Sequence, residues 1–122
     1  MALKHFSPEG DPMLFSCPCG NCDTKPNPRL PQVLDLVREE SGVPMFITSG
    51  PRCEAHNMAI GGAKYSEHMD GDGADIACSS SRERFMIINA AISNGINRIG
   101  VGKLLIHLGI SETNDPMVMW VY

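Results

Sequence analysis

Ser66-Glu67-His68-Met69-Asp70-Gly71-Asp72-Gly73-Ala74-Asp75-Ile76 holds the densest polar chemistry in the chain and runs straight into an apolar stretch. His68 and Asp75 cannot be neighbours on a simple helix, but a chain that doubles back brings them together, and Gly71 and Gly73 permit such a loop. Asp75 then opens the strand predicted over 74–77, where a carboxylate is costly unless paired or bound to a metal. Imidazole nitrogen with carboxylate oxygen is a zinc-type ligand pair that needs at least one more protein ligand. The same spacing also suits a hydrogen-bonded loop histidine and a turn aspartate, and the pair alone does not separate the two.

Outward from this block the elements mix without a βαβ rhythm. Val33, Leu34, Leu36 and Val37 recur at helical spacing over 31–41, and Gly42 stops the pattern. Met45-Phe46-Ile47-Thr48 reads as a short buried strand and 54–60 as a short helix closed by Gly61-Gly62. Ser81 caps a helix reaching about Asn94, with Phe85, Ile88 and Ile92 on one face. Arg98–Val101 and Leu104–His107 read as paired strands, and 117–122 as a last one. Turn formers (Pro8, Gly10, Pro12, Pro18, Gly20, Pro26, Pro28) make 1–30 an irregular arm. The expectation is one α+β domain over 1–122, a small, mainly antiparallel sheet with flanking helices.

Composition limits the function classes. At 122 residues, 43% hydrophobic and 20% charged, the chain is a single globular domain, neither disordered nor membrane-spanning. Its net charge of −4 argues against nucleic acid as the main partner. The N-terminus has no apolar stretch of signal-peptide length, so the expectation is synthesis in the cytoplasm. No feature indicates an oligomer.

Three further features carry chemistry. His107 ends the apolar run Leu104-Leu105-Ile106, where it is either a satisfied core histidine or a third metal ligand. Arg52 follows Thr48-Ser49-Gly50-Pro51, a stiff turn, and either forks onto a substrate carboxylate or makes a surface ion pair. Cys17-Pro18-Cys19-Gly20-Asn21-Cys22, with Cys53 beside Arg52, gathers thiols for a structural zinc, for disulfides, or as free packed thiols. Cys78, after an apolar strand, reads as core.

In this order, Ser49-Gly50-x-Arg52, His56-Asn57, Gly61-Gly62-Ala63, Ser66-x-His68-x-x-Gly71-x-Gly73-x-Asp75-Ile76, Ile99-Gly100-Val101 and Ile106-His107 resemble one family. It is the zinc D-alanyl-D-alanine carboxypeptidases and related peptidoglycan endopeptidases, which include the vancomycin-resistance dipeptidases and many phage-encoded domains. The fold core is similar to that of lysostaphin-type enzymes and the hedgehog domain. The resemblance runs from about Phe15 to Trp120-Val121-Tyr122, an ending like that of phage-type members. It implies Zn2+ held by His68, Asp75 and His107. It also implies that Arg52 binds a substrate carboxylate or polarises the scissile carbonyl, and that Ser66 hydrogen-bonds substrate or braces the His68 loop. His56 and Asn57 are expected to brace the loop presenting Arg52. The implied substrates are peptidoglycan stem peptides, cut next to a D-amino acid outside the cytoplasm, with phage release or a virion as the route to the wall.

The chain departs from that pattern twice. Gly73 stands where alanine is usual, a change expected to be harmless. The family's acidic or histidine residue beside the third ligand falls at three residues before it or two after it, and here these places hold Leu104 and Gly109. The proton-transfer group is therefore missing, with Glu112, Asp115, Glu67, Asp70 and Asp72 as substitutes. Two expectations follow: weak zinc-dependent hydrolysis that Gly109→Asp would accelerate, or a zinc-containing wall-binding or virion-structural module that does not cut.

Overall fold

In the computed structural model, which describes residues 2–122, strand periodicity sorts the sheet into two faces. The strands are β1 (Ile47–Ser49), β2 (Gly73–Ala77), β3 (Arg98–Val101), β4 (Leu105–Gly109) and β5 (Val118–Val121), in the order β1-β2-β4-β3-β5. All pairings are antiparallel except β3 with β5. Alternate side chains of a strand point to opposite faces. Ala74, Ile76, Ile99, Ile106 and Leu108 are fully or almost fully buried under the helices. Their neighbours Asp75 and His107, directly opposite each other in the β2–β4 register, share the other face. The fold is α+β, as the sequence predicts.

Helices α1 (Pro12–Phe15), α2 (Arg29–Ser41), α3 (Glu54–Ala59) and α4 (Ser81–Ser93) complete the framework. Leu30, Leu34 and Val37, spaced along one face of α2, join the sheet's apolar face in a single core. Gly42 ends the helix with φ 70°, the left-handed cap its sequence signals. The arm is more ordered than its turn formers suggest. It contains α1, and the buried Asp35 carboxylate ties it down by accepting the Lys4 and His5 amides. Among the described residues, no helix is long and apolar enough to cross a membrane.

Helix α4 differs from its sequence reading in cap and face. The cap is Ser80, whose Oγ accepts the Glu83 amide at 3.2 Å. Its buried side is Ile87, Ala90 and Ala91, while Phe85 and Ile92 lie exposed. Two alanines let α4 lie close to α2, and the bulkier residues fall outside that contact. Ser80→Ala should lower stability by about 1 kcal/mol in urea denaturation, whereas Ser81→Ala should leave it within a few tenths; equal losses would return the cap to Ser81.

Candidate metal centre and its cavity

Ser66 turns the chain into the site. Its Oγ caps a 3-10 turn, Glu67–Asp70, by accepting the His68 amide at 3.2 Å. Gly71, with φ 73°, ends the turn and sends the chain back into β2. The doubling-back is made at Gly71, while Gly73 already lies in β2, and it sets His68 beside Asp75. His68 Nε2 lies 3.3 Å from Asp75 Oδ1, and His107 Nδ1 lies 2.9 Å from the same oxygen. One donor atom from each of the three residues falls within 4.8 Å of the others.

The outer hydrogen bonds fix which nitrogen each ring turns inward. His68 Nδ1 is 2.7 Å from the Gly50 carbonyl, which only accepts, so Nδ1 carries the proton and Nε2 offers its lone pair to the centre. His107 Nε2 is 2.6 Å from Glu67 Oε2, so in the neutral ring Nε2 carries the proton and Nδ1 faces inward. Two imidazole lone pairs and a carboxylate oxygen therefore converge, an arrangement that asks for a cation between them. A histidine ligand whose far nitrogen donates to a carboxylate or carbonyl is the usual outer arrangement of zinc sites. The donor set thus fits a zinc ion, with three protein ligands and room for a fourth.

The electrostatics also favour positive charge at this point. Burial pushes the Asp75 carboxyl up, but without a metal the His107 and His68 rings, when protonated at their inward nitrogens, donate to it and hold it far below the ordinary aspartate value. Burial likewise pushes His107 down, yet its hydrogen bonds to Asp75 and Glu67 raise it above the ordinary histidine value. A proton and a metal compete for the same lone pair.

Glu67, one of the carboxylates the sequence offers as a substitute proton-transfer group, lies on the far nitrogen of His107. Its carboxylate is buried and accepts from His107, from Arg98 Nε at 3.2 Å and from the Ser111 amide at 3.2 Å. Burial pushes this carboxyl up, and the His107 hydrogen bond, with the His107 and Arg98 charges and the Ser111 amide, brings it below its ordinary value. A side chain at Gly109 would collide with the Glu67 carboxyl carbon and both of its oxygens. A Cβ at Gly73 would stand 2.7 Å from His107 Cε1 and 2.9 Å from Glu67 Cγ. Gly73 and Gly109 are partners across β2 and β4, so the two departures are one accommodation. A Cβ at Gly73 would make His107 or Glu67 shift, and the space beside Gly109 is filled by the Glu67 carboxylate.

Other assignments sort by position. Arg52 lines the cavity, with Nη2 3.5 Å from Asp75 Oδ2, Nε and Nη2 on Ser49 Oγ, and Nη1 on Asn57 Oδ1. Asn57 also donates to the Ala63 carbonyl and so braces the Arg52 turn. Ser66 combines its capping bond with a place on the cavity wall. Asp70 is exposed, Asp72 is bonded by Asn27, Glu112 pairs with Arg29 at 2.6 Å, and none of these three nor Asp115 lines the cavity. Among the described residues, Asp75 and Glu67 are its acidic members.

The cavity measures about 490 Å3. Trp120 and Tyr122, on and just beyond β5, form an aromatic wall against His107, with ring centroids 5.4 Å apart for His107–Trp120 and 6.4 Å for Trp120–Tyr122. Arg98 lies over the Trp120 ring at 5.3 Å. Sequence reading noted the aromatic ending without giving it a role. Its signal was Gly100, partner of both His107 and Trp120, where a Cβ would meet Trp120 Nε1 at 2.6 Å.

A search of curated proteins finds no match to this chain. The family model described as Peptidase M15 matches residues 4–109 and so takes in His68, Asp75, His107, Arg52 and Glu67. This zinc-dependent peptidase family supplies the context the donor set asks for, and the chain belongs to the peptidase M15 family.

Proposed function

We propose that the protein hydrolyses peptidoglycan stem peptides at a bond next to a D-amino acid, with zinc held by His68, Asp75 and His107. The observation that carries the reading is the convergence of those three donors on a cavity that Arg52 also lines. Zinc, when bound, supplies Lewis-acid polarisation of a carbonyl and acidifies a coordinated water. The chain's residues do the rest. Arg52, held by Ser49 and Asn57, offers guanidinium hydrogens to a peptide carboxylate or to the oxygen that gains charge during attack. Glu67 keeps the proton on His107 Nε2 and the ring in place. Trp120 and Tyr122 give an apolar surface for the substrate's side chains and exclude water on that side.

Glu67 is a positioning residue in this scheme. It touches the far nitrogen of His107, away from Asp75, and its side chain is 2% exposed. The non-cutting reading leans on the absence of a proton-transfer group at Leu104 and Gly109; the Glu67 carboxylate fills the space beside Gly109 but serves the far nitrogen of His107.

Purified, zinc-loaded protein should release amino groups from peptidoglycan. Release of free D-alanine from a peptide ending in D-Ala-D-Ala marks a carboxypeptidase, and new amino termini inside stem peptides mark an endopeptidase. Co-sedimentation with wall material and no amine release would overturn hydrolysis and leave a binding module.

A further inference from the structure

The arm and the Arg52 turn meet at four sulfurs. Cys17, Cys19 and Cys22 lie on the loop after α1, and Cys53 follows Arg52 and opens α3. Their Sγ atoms all lie within 4.8 Å of one another. Cys17–Cys53 is 3.8 Å, Cys19–Cys53 is 3.7 Å and Cys19–Cys22 is 3.4 Å. Zinc–sulfur bonds of about 2.3 Å in a tetrahedron place sulfurs about 3.8 Å apart. Disulfides would sort the cysteines into separate pairs, but here Cys53 approaches both Cys17 and Cys19, and Cys19 approaches both Cys53 and Cys22.

The surrounding backbone suits sulfur that carries negative charge. The amides of Cys53, Asn21 and His56 donate to the sulfurs of Cys17, Cys19 and Cys53 at 3.4, 3.3 and 3.3 Å. Gly20, with φ 75°, turns the chain back so that Cys22 rejoins Cys19. Soft thiolates in a tetrahedral set of this kind select zinc.

We infer that Cys17, Cys19, Cys22 and Cys53 hold a second, structural zinc that fastens the N-terminal arm to the turn presenting Arg52. The site is closed, because all four positions are taken by protein sulfur. It is independent of the His68–Asp75–His107 centre in its ligands. Its link to substrate handling, through Cys53 beside Arg52, rests on the function proposed above.

The test is zinc content of the full chain, measured by elemental analysis after gel filtration, in wild type, Cys19→Ser/Cys22→Ser and His68→Ala/His107→Ala proteins. Two zinc ions per wild-type chain and one in each double variant are expected. Cobalt refolded into the histidine variant should show sulfur-to-cobalt charge-transfer bands, a readout that stands even if the cysteine variant fails to fold. A wild type with one zinc that the histidine variant loses entirely would overturn the inference. So would an unreduced mass showing disulfides among the four cysteines. One zinc in wild type and still one in the histidine variant would keep this inference and sink the histidine centre instead.

Discussion

Asp75→Ala is expected to empty the histidine centre of zinc and to abolish hydrolysis. Asp75 Oδ1 is the atom on which both inward nitrogens converge, and Oδ2 faces Arg52. Its loss leaves two ligands and removes the charge that opposes Arg52. Disturbing an outer partner of a metal ligand typically costs about 10–100-fold in affinity, and losing a ligand should cost more. Zinc at this centre should therefore fall below detection after dialysis, with turnover falling in proportion. Asp75→Asn, which keeps the shape but weakens the donor, should fall between. The fold should persist, since Ala74 and Ile76 carry the strand's core contacts, and unchanged near-ultraviolet circular dichroism would confirm it. Full retention of zinc with lost activity would mean that Asp75 is not a ligand but a partner of Arg52.

The same atom marks what the residues themselves signal about the centre, while the three-residue set comes from the family resemblance. A carboxylate inside Ala74-Asp75-Ile76-Ala77 has to be accounted for wherever the strand goes, because burying it unpaired is prohibitive. His107, the polar member of an apolar strand, is flagged in the same way, but its strand alone leaves a core histidine and a ligand equally open. The local signals that set the fold also read directly: the α2 stripe ending at Gly42, and the Gly71 reversal. Helix α4 was misread because periodicity alone does not say which face of an evenly apolar helix is turned inward. Phe85 and Ile92 compete there with Ile87, Ala90 and Ala91, and packing against α2 decides for the smaller residues.

Glu67 was illegible for a different reason. It sits beside a ligand in sequence, where a solvated loop charge is the ordinary expectation. The 3-10 turn rotates it inward, across strands that come together only in the fold. Nothing in the sequence says that Gly73 and Gly109 are opposite each other, so two departures looked unrelated. The register of β2 on β4 joins them, and a Cβ at either would meet the Glu67 side chain.

Gly109→Asp is accordingly expected to destabilise the protein and slow it, the reverse of what an empty place beside His107 would give. The new side chain enters the volume of the Glu67 carboxylate and sets a second negative charge against it. Overpacking of this kind costs about 1–3 kcal/mol, and repulsion between two poorly solvated carboxylates adds to it. Displacing Glu67 also frees His107 Nε2, so zinc affinity should drop by about 10–100-fold. Glu67→Gly alone should lose similar affinity, because it leaves Arg98 Nε and His107 Nε2 without their acceptor. The two changes together should do better than either, since the introduced aspartate would then carry a carboxylate into the volume Glu67 has left. A favourable coupling of about 0.5–3 kcal/mol in a double-mutant cycle, read from urea denaturation and zinc competition in parallel, is the expected outcome. Additive losses would show that Glu67 and the residue at position 109 do not share one site. A Gly109→Asp protein that is as stable as wild type and faster would show that Glu67 is not the carboxylate serving His107.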